Sequence, residues 1–123
     1  MTSMKFVDAN IFIERWSNPK ALTFTNSLDR EKHCTSVLVL SEVHYKLSQK
    51  KFVQTFEYIR NIMGGITVFD FTQDDLFYAM RNTSDIPIND RIHIAIMKRN
   101  DIDTIISYDK DFDREKTIKR EEL

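Results

Sequence analysis

Short apolar runs of strand length alternate with segments of helical periodicity along the whole chain, and this alternation most constrains the fold. Strand-like runs are centred on Phe6 and Val7 and on residues 33–35, 66–69 and 104–107, with a last short edge strand near Ile118. Between them, Asn18 and Pro19 start an amphipathic helix that the pattern Ala21, Phe24, Thr25, Leu28 carries to about Arg30. Ser36 caps a helix through Val37, Val39, Leu40, Val43 and Leu47. Phe52, Phe56, Ile59 and Met63 keep helical spacing up to Gly64 and Gly65, which are expected to stop that helix through left-handed angles. Thr72 and Asp75 form a capping-box pair ahead of a helix that runs to about Asn82 and is expected to bury Leu76, Phe77 and Met80. After a loop at Pro87, Asn89 and Asp90 open a helix whose Ile92, Ile94, Ala95, Ile96 and Met97 are apolar nearly all round, which predicts a central, covered position. The alternation predicts an α/β fold: a parallel β-sheet of four to five strands flanked by helices on both faces. Its 123 residues fit a single domain, 1–123.

Composition narrows the setting. Hydrophobic residues make up 41% of the chain, enough for a real core, yet the longest apolar run is a handful of residues, so no membrane span is expected. No export signal is read at the N-terminus. Cys34 is the sole cysteine, cannot form an internal disulfide and sits in an apolar context, which predicts a buried thiol in a reducing, cytoplasmic setting.

Asp8 ends the first strand and precedes the apolar turn Ile11, Phe12, Ile13. In open α/β sheets that position faces the ligand crevice, although a plain helix N-cap explains an Asp there equally well. Glu42, Asp90 and Asp109 occupy comparable places, each at a strand end or in the first helical turns and each set in apolar sequence. Glu42 is the hardest to explain as a cap, because a bare carboxylate inside an apolar run needs a partner, an ion or a route to water. Four converging carboxylates would repel one another unless cations bind, and an oxygen-only donor set selects Mg²⁺ or Mn²⁺. With 18 Lys and Arg against 19 Asp and Glu, setting four acids aside as one metal site leaves a surplus of three cations, a balance that permits nucleic acid without requiring it.

These pieces together resemble the PIN-domain ribonucleases, in particular the small VapC-type toxins of prokaryotes. The resemblance covers almost the whole chain. Val-Asp-Ala-Asn-Ile at 7–11, Ser-Glu-Val at 41–43, Asp-Arg-Ile-His-Ile-Ala at 90–95 and Ile-Ser-Tyr-Asp-Lys-Asp-Phe-Asp at 106–113 carry it, each weak alone and specific in this order and spacing. It implies that Asp8, Glu42, Asp90 and Asp109 are the catalytic, metal-holding acids, with Asp111 able to substitute for or assist Asp109, and with Asn10 and Ser107 orienting the acids. It implies an endoribonuclease in which one or two Mg²⁺ or Mn²⁺ ions activate a water against single-stranded RNA phosphodiesters, without a protein nucleophile. A homodimer and an antitoxin partner are implied as well. The sequence itself adds that two helices with strong apolar faces, 20–30 and 51–63, offer more apolar surface than one sheet covers.

Lys46, Lys50, Lys51 and Arg91 are placed to border the acids and hold phosphates, though cations are common on any solvated face. His93 lies one turn beyond Asp90, and its apolar helix makes it a hydrogen-bonded core histidine before it makes it a general base. A phosphoacceptor receiver domain is disfavoured, since no acid pair stands near the N-terminus. A non-toxin PIN nuclease of RNA processing and a non-catalytic PIN-like RNA-binding module are the remaining alternatives. The RNA target, the number of metal ions and the antitoxin are not legible in the sequence.

Overall fold

The computed structural model describes residues 3–82 and 84–123. Five short strands, β1 (Lys5–Val7), β2 (His33–Ser36), β3 (Thr67–Phe69), β4 (Thr104–Ile106) and β5 (Lys119–Glu121), form one parallel sheet in the order β3-β2-β1-β4-β5. Six α-helices are described: α1 (Ala9–Ile13), α2 (Pro19–Thr25), α3 (Val37–Gln49), α4 (Thr55–Gly65), α5 (Gln73–Arg81) and α6 (Ile88–Arg99). β1 lies at the centre, with Phe6 opposite Cys34 of β2 and Ile105 of β4.

That strand order fixes the layers. The chain steps outward from β1 through β2 to β3, then returns past β1 to lay β4 and β5 on the other side. Right-handed crossovers therefore place α1 to α4 on one face and α5 with α6 on the opposite face. The contacts agree: α1 packs on α2 and α3, α3 packs on α4, and α5 packs on α6. Reversal of direction at β1 creates a switch point between the carboxyl ends of β1 and β4, the place where an open α/β sheet leaves a crevice. The core runs through this centre, with Phe6, Phe12, Ile96, Met97, Ile105 and Phe112 fully enclosed. Six consecutive residues of α6, Ile92 to Met97, are buried, as the all-round apolar pattern predicts.

The predicted caps form as read. Asn18 accepts from the Lys20 amide with Pro19 in the first turn, Ser36 accepts from Val39, and Thr72 and Asp75 complete a reciprocal capping box. Cys34 is buried. Among the described residues no helix is long and apolar enough to cross a membrane.

Four local expectations need correction. α2 ends at Thr25, not near Arg30, because Asn26, Ser27 and Asp29 turn the chain instead: the Ser27 hydroxyl bonds the Thr23 and Phe24 carbonyls, and the Asp29 carboxylate takes the Glu31 amide. Gly64 and Gly65 lie inside α4 and neither has positive φ; the helix ends by passing into extended Ile66. The inward stripe of α4 is Thr55, Tyr58, Ile59 and Ile62; of the four residues at helical spacing, Phe52 precedes the helix and packs with Ile59 against the core, while Phe56 and Met63 do not. Ile59 belongs to both stripes, and Tyr58 settles the rotation by donating its hydroxyl to the Phe12 carbonyl at 2.7 Å, so Phe56 and Met63 face solvent. On α5, Leu76, Phe77 and Met80 are exposed. That helix docks on α6 through small Ala79 and through buried Asp75, whose carboxylate receives Arg99 at 2.9 Å. Amphipathic spacing shows which residues share a face and leaves open which face is covered.

Candidate metal-binding acidic site

Asp8 follows β1 directly and Ser107 follows β4, so the switch point brings them together. Asp8 caps α1 by accepting the Ala9 amide on Oδ1 at 2.8 Å, while its Oδ2 accepts the Ser107 hydroxyl at 2.7 Å and the Asn10 side-chain amide at 3.3 Å. Cap and candidate ligand are thus one residue. Asn10 also donates to Ser107 Oγ and accepts the Tyr108 amide, and Ser107 Oγ takes the Asp109 amide at 3.0 Å. This small network ties the end of β1 to the turn after β4.

Glu42 lies on α3 and reaches the crevice from the side. Its Oε1 is 2.9 Å from His93 Nε2 of α6, and its Oε2 receives the Asn89 side chain at 3.3 Å. The partner that an acid in an apolar run requires is therefore a histidine 51 residues away. Asp90 stands three residues inside α6, whose cap position is Pro87, so Asp90 is not the cap of that helix. Asp109 caps the short 3₁₀ turn Lys110–Arg114 by accepting the Asp111 amide at 2.9 Å.

The side chains gather in two adjoining groups. Asp8, Glu42 and His93 each offer an atom within 4.8 Å of the others, and so do Asp90, Asp109 and Asp111. Asp109 and Asp111 both stand beside Asp90. Burial raises the Asp90 carboxyl to about 7, assisted by the negative charges of Asp8 and Asp109 and opposed by His93. Burial also raises Asp8, against the stabilising influence of His93, Ser107 and the Ala9 amide. His93 is raised as well: burial opposes its charge, but Glu42, Asp8 and Asp90 outweigh that opposition. Asp8 and Asp90, buried with like charges nearby, both favour the neutral form and would gain from a cation. Their donor set of carboxylate oxygens fits a hard divalent ion.

Two features differ from the sequence expectation. Arg91 does not border the crevice as a free cation. Its guanidinium clasps the Ile86, Ala79 and Asn82 carbonyls, closing the end of α5 onto the start of α6 and so positioning Asp90. Asn89, expected only to open the helix with Asp90, also enters the site by donating to Glu42; its place beside Asp90 in the first turn of α6 is the available signal. Lys46, Lys50 and Lys51 are exposed, and none has an acid partner among the described residues.

A parallel five-stranded α/β sheet with a crevice of acids at its switch point defines a class, and comparison places the chain within it. The PIN domain sequence profile matches residues 5–116, and the chain belongs to the PIN-domain family. Its fold is similar to that of VapBC2 from Rickettsia felis, bound to a DNA fragment from the promoter: TM-score 0.71, 16% identity, 97% of this chain and 98% of that one. It is also similar to VapC20 of Mycobacterium tuberculosis, a toxin that cleaves the sarcin-ricin loop, with TM-score 0.72, 19% identity, 89% of this chain and 92% of that one. A toxin–antitoxin complex from Klebsiella pneumoniae aligns with TM-score 0.71 and 16% identity over 93% of this chain and 94% of that one. No curated protein sequence matches this chain.

Proposed function

We propose that this protein is a divalent-metal-dependent endoribonuclease acting on single-stranded RNA, the toxin of a toxin–antitoxin pair, with Asp8, Glu42, Asp90 and Asp109 as its catalytic acids and Asp111 assisting. The observation that carries the reading is that five carboxylates, from the end of β1, from α3, from α6 and from the turn after β4, lie in two adjoining groups, one of which includes His93. Mg²⁺ or Mn²⁺ held there would neutralise these acids and supply Lewis acidity to phosphodiester hydrolysis. The chain's own contribution is orientation: Ser107 and Asn10 hold Asp8, the 3₁₀ turn holds Asp109, and the Arg91 clasp holds the start of α6. Lys46 lies one helical turn beyond Glu42 on α3, and Lys50 one turn further, placing positive charge along one route out of the crevice for an RNA backbone.

The toxin reading is supported by the fold shared with toxin–antitoxin complexes of comparable length. An apolar groove lined by Ile13, Trp16, Leu47, Phe52 and Val53, with Lys50 and Lys51 at its rim, suits an apolar segment carrying acidic residues from an antitoxin. A homodimer is supported by the exposed side chains of α5, and a cytoplasmic site of action by the free buried cysteine. The test is cleavage of a single-stranded RNA by purified protein in Mn²⁺, with and without EDTA. Chelator-sensitive cleavage that disappears in Asp8→Asn supports the proposal. Cleavage that persists in EDTA defeats it.

A further inference from the structure

His93 is fully buried, with the Phe6 ring 5.8 Å from its own, in the otherwise apolar middle of α6. One nitrogen, Nε2, lies 2.9 Å from Glu42 Oε1 and 3.9 Å from Asp8 Oδ1; the other, Nδ1, is buried with no hydrogen-bond partner among the described residues. An ionised carboxylate only accepts, so in the neutral ring Nε2 must carry the proton, leaving the Nδ1 lone pair orphaned. An orphaned buried acceptor is costly, and an apolar side chain would suit this pocket better for stability alone. The one thing the imidazole does that leucine cannot is hold Glu42.

We propose that His93 is a positioning residue of the acidic site: its Nε2–H fixes the Glu42 carboxylate toward Asp8 and so sets the affinity of this half of the site for a divalent cation. The inference rests on the metal reading given under Proposed function and deepens it. Glu42 is the acid that most needs such help. It reaches in from a helix outside the β1–β4 switch point, its side chain is 27% exposed, and Asn89 is its only other hydrogen-bonding partner among the described residues. Asp8, by contrast, is already held by Ser107, Asn10 and the Ala9 amide. Groups that orient metal-binding carboxylates commonly change metal affinity 10- to 100-fold when removed.

The test uses wild type, His93→Leu and His93→Gln, each melted across a MnCl₂ titration. At pH 8, where the charge-dependent contribution of His93 is lost, His93→Leu should fold and melt no lower than wild type without metal, yet need roughly tenfold more Mn²⁺ for its half-maximal thermal shift. His93→Gln, whose side-chain amide can donate from nearly the same place, should recover most of that loss. Wild-type Mn²⁺ dependence in His93→Leu overturns the inference while leaving the metal reading intact. No Mn²⁺ response in wild type overturns the metal reading, and this consequence with it. Should His93→Leu not fold, ¹⁵N NMR of the metal-free wild-type ring decides: an Nε2–H tautomer whose signal shifts in Glu42→Ala supports the proposal, and an Nδ1–H tautomer overturns it.

Discussion

The Ser107 hydroxyl donates to Asp8 Oδ2 at 2.7 Å, joining residues 99 apart in sequence at the carboxyl ends of two neighbouring strands. Because Asp8 is buried and its carboxyl is raised by that burial, the bond compensates a charge with little access to water. Ser107→Ala should lower the stability of the folded protein at pH 8 by about 1.5–3 kcal/mol, the usual worth of a hydrogen bond to a charged group. RNA cleavage should fall by roughly tenfold or more, since the orienting donor is gone. Urea unfolding and a cleavage assay on the same preparation check both. An Ala variant as stable and active as wild type would mean that Asn10 and the Ala9 amide hold Asp8 unaided.

Stability without metal should depend on pH with a definite sign. Asp90 and Asp8 both have folded-state values above those of an unfolded aspartate. Such groups add stability that is fully present below about pH 4 and is lost as pH rises through the folded value, about 7 for Asp90. His93 is also raised, and its contribution is present below about 6.5 and lost as pH climbs through its folded value. All three act in one direction. The metal-free protein should therefore lose the stability these groups contribute between about pH 4 and 8, and millimolar Mn²⁺ should restore most of it at pH 8. Melting curves in EDTA and in Mn²⁺ across that range measure the effect. Because His33, Asp75, Asp113 and Glu121 are shifted the opposite way, the comparison is with Asp90→Asn, and a wild-type melting temperature in EDTA that does not fall relative to that variant over the same interval would contradict the arrangement described.

Asp90→Asn isolates the repulsion. Because the cap position of α6 is Pro87, the substitution leaves capping untouched and changes only charge. Unfolding at pH 8 without metal should need the same or slightly more denaturant, while cleavage and the Mn²⁺-induced thermal shift disappear. That shift follows the logarithm of ion concentration over Kd, so it is read at millimolar Mn²⁺. Retained cleavage with an unaltered Mn²⁺ response would remove Asp90 from the site.

What the sequence makes legible follows from range. Strand and helix alternation, the caps at Asn18, Ser36 and Thr72, and the junction positions of the acids are local, and local chemistry reads directly from neighbouring residues. Glu42 announces a missing partner, but His93 and Asn89 are brought to it only by the packing of α3 near α6, which no periodicity encodes. Arg91 reads as a phosphate contact because a cation beside an acid is all the sequence displays; its three carbonyl partners come from the close of α5. The covered side of α5 is the clearest failure. Leu76, Phe77 and Met80 supply the apolar stripe, yet the buried positions are Asp75, neutralised by Arg99, and Ala79, small enough for close approach.

That exposed stripe leads to the last prediction. α5 presents Leu76, Phe77, Tyr78 and Met80 to solvent, with Phe77 57% and Met80 50% exposed, a concentration of apolar surface that monomeric proteins seldom leave uncovered. The helix also has unlike ends, with Asp74 in its first turn and Arg81 in its last. A two-fold axis across α5 would bring a second copy in antiparallel, setting each Asp74 near the partner's Arg81 while the apolar side chains meet between them. Dimerisation is expected through this helix, with the helix at 51–63, whose Phe56 and Met63 are also exposed, as the rival face. Phe77→Glu should shift sedimentation at micromolar concentration toward monomer with the fold intact, because the residue makes little contact within its own chain. Phe56→Glu on α4, at a residue 66% exposed, serves as the control and should leave association unchanged. Dissociation by Phe56→Glu with Phe77→Glu still dimeric would move the interface to α4, and a wild type that sediments as a monomer would leave the α5 face without a second copy to cover it.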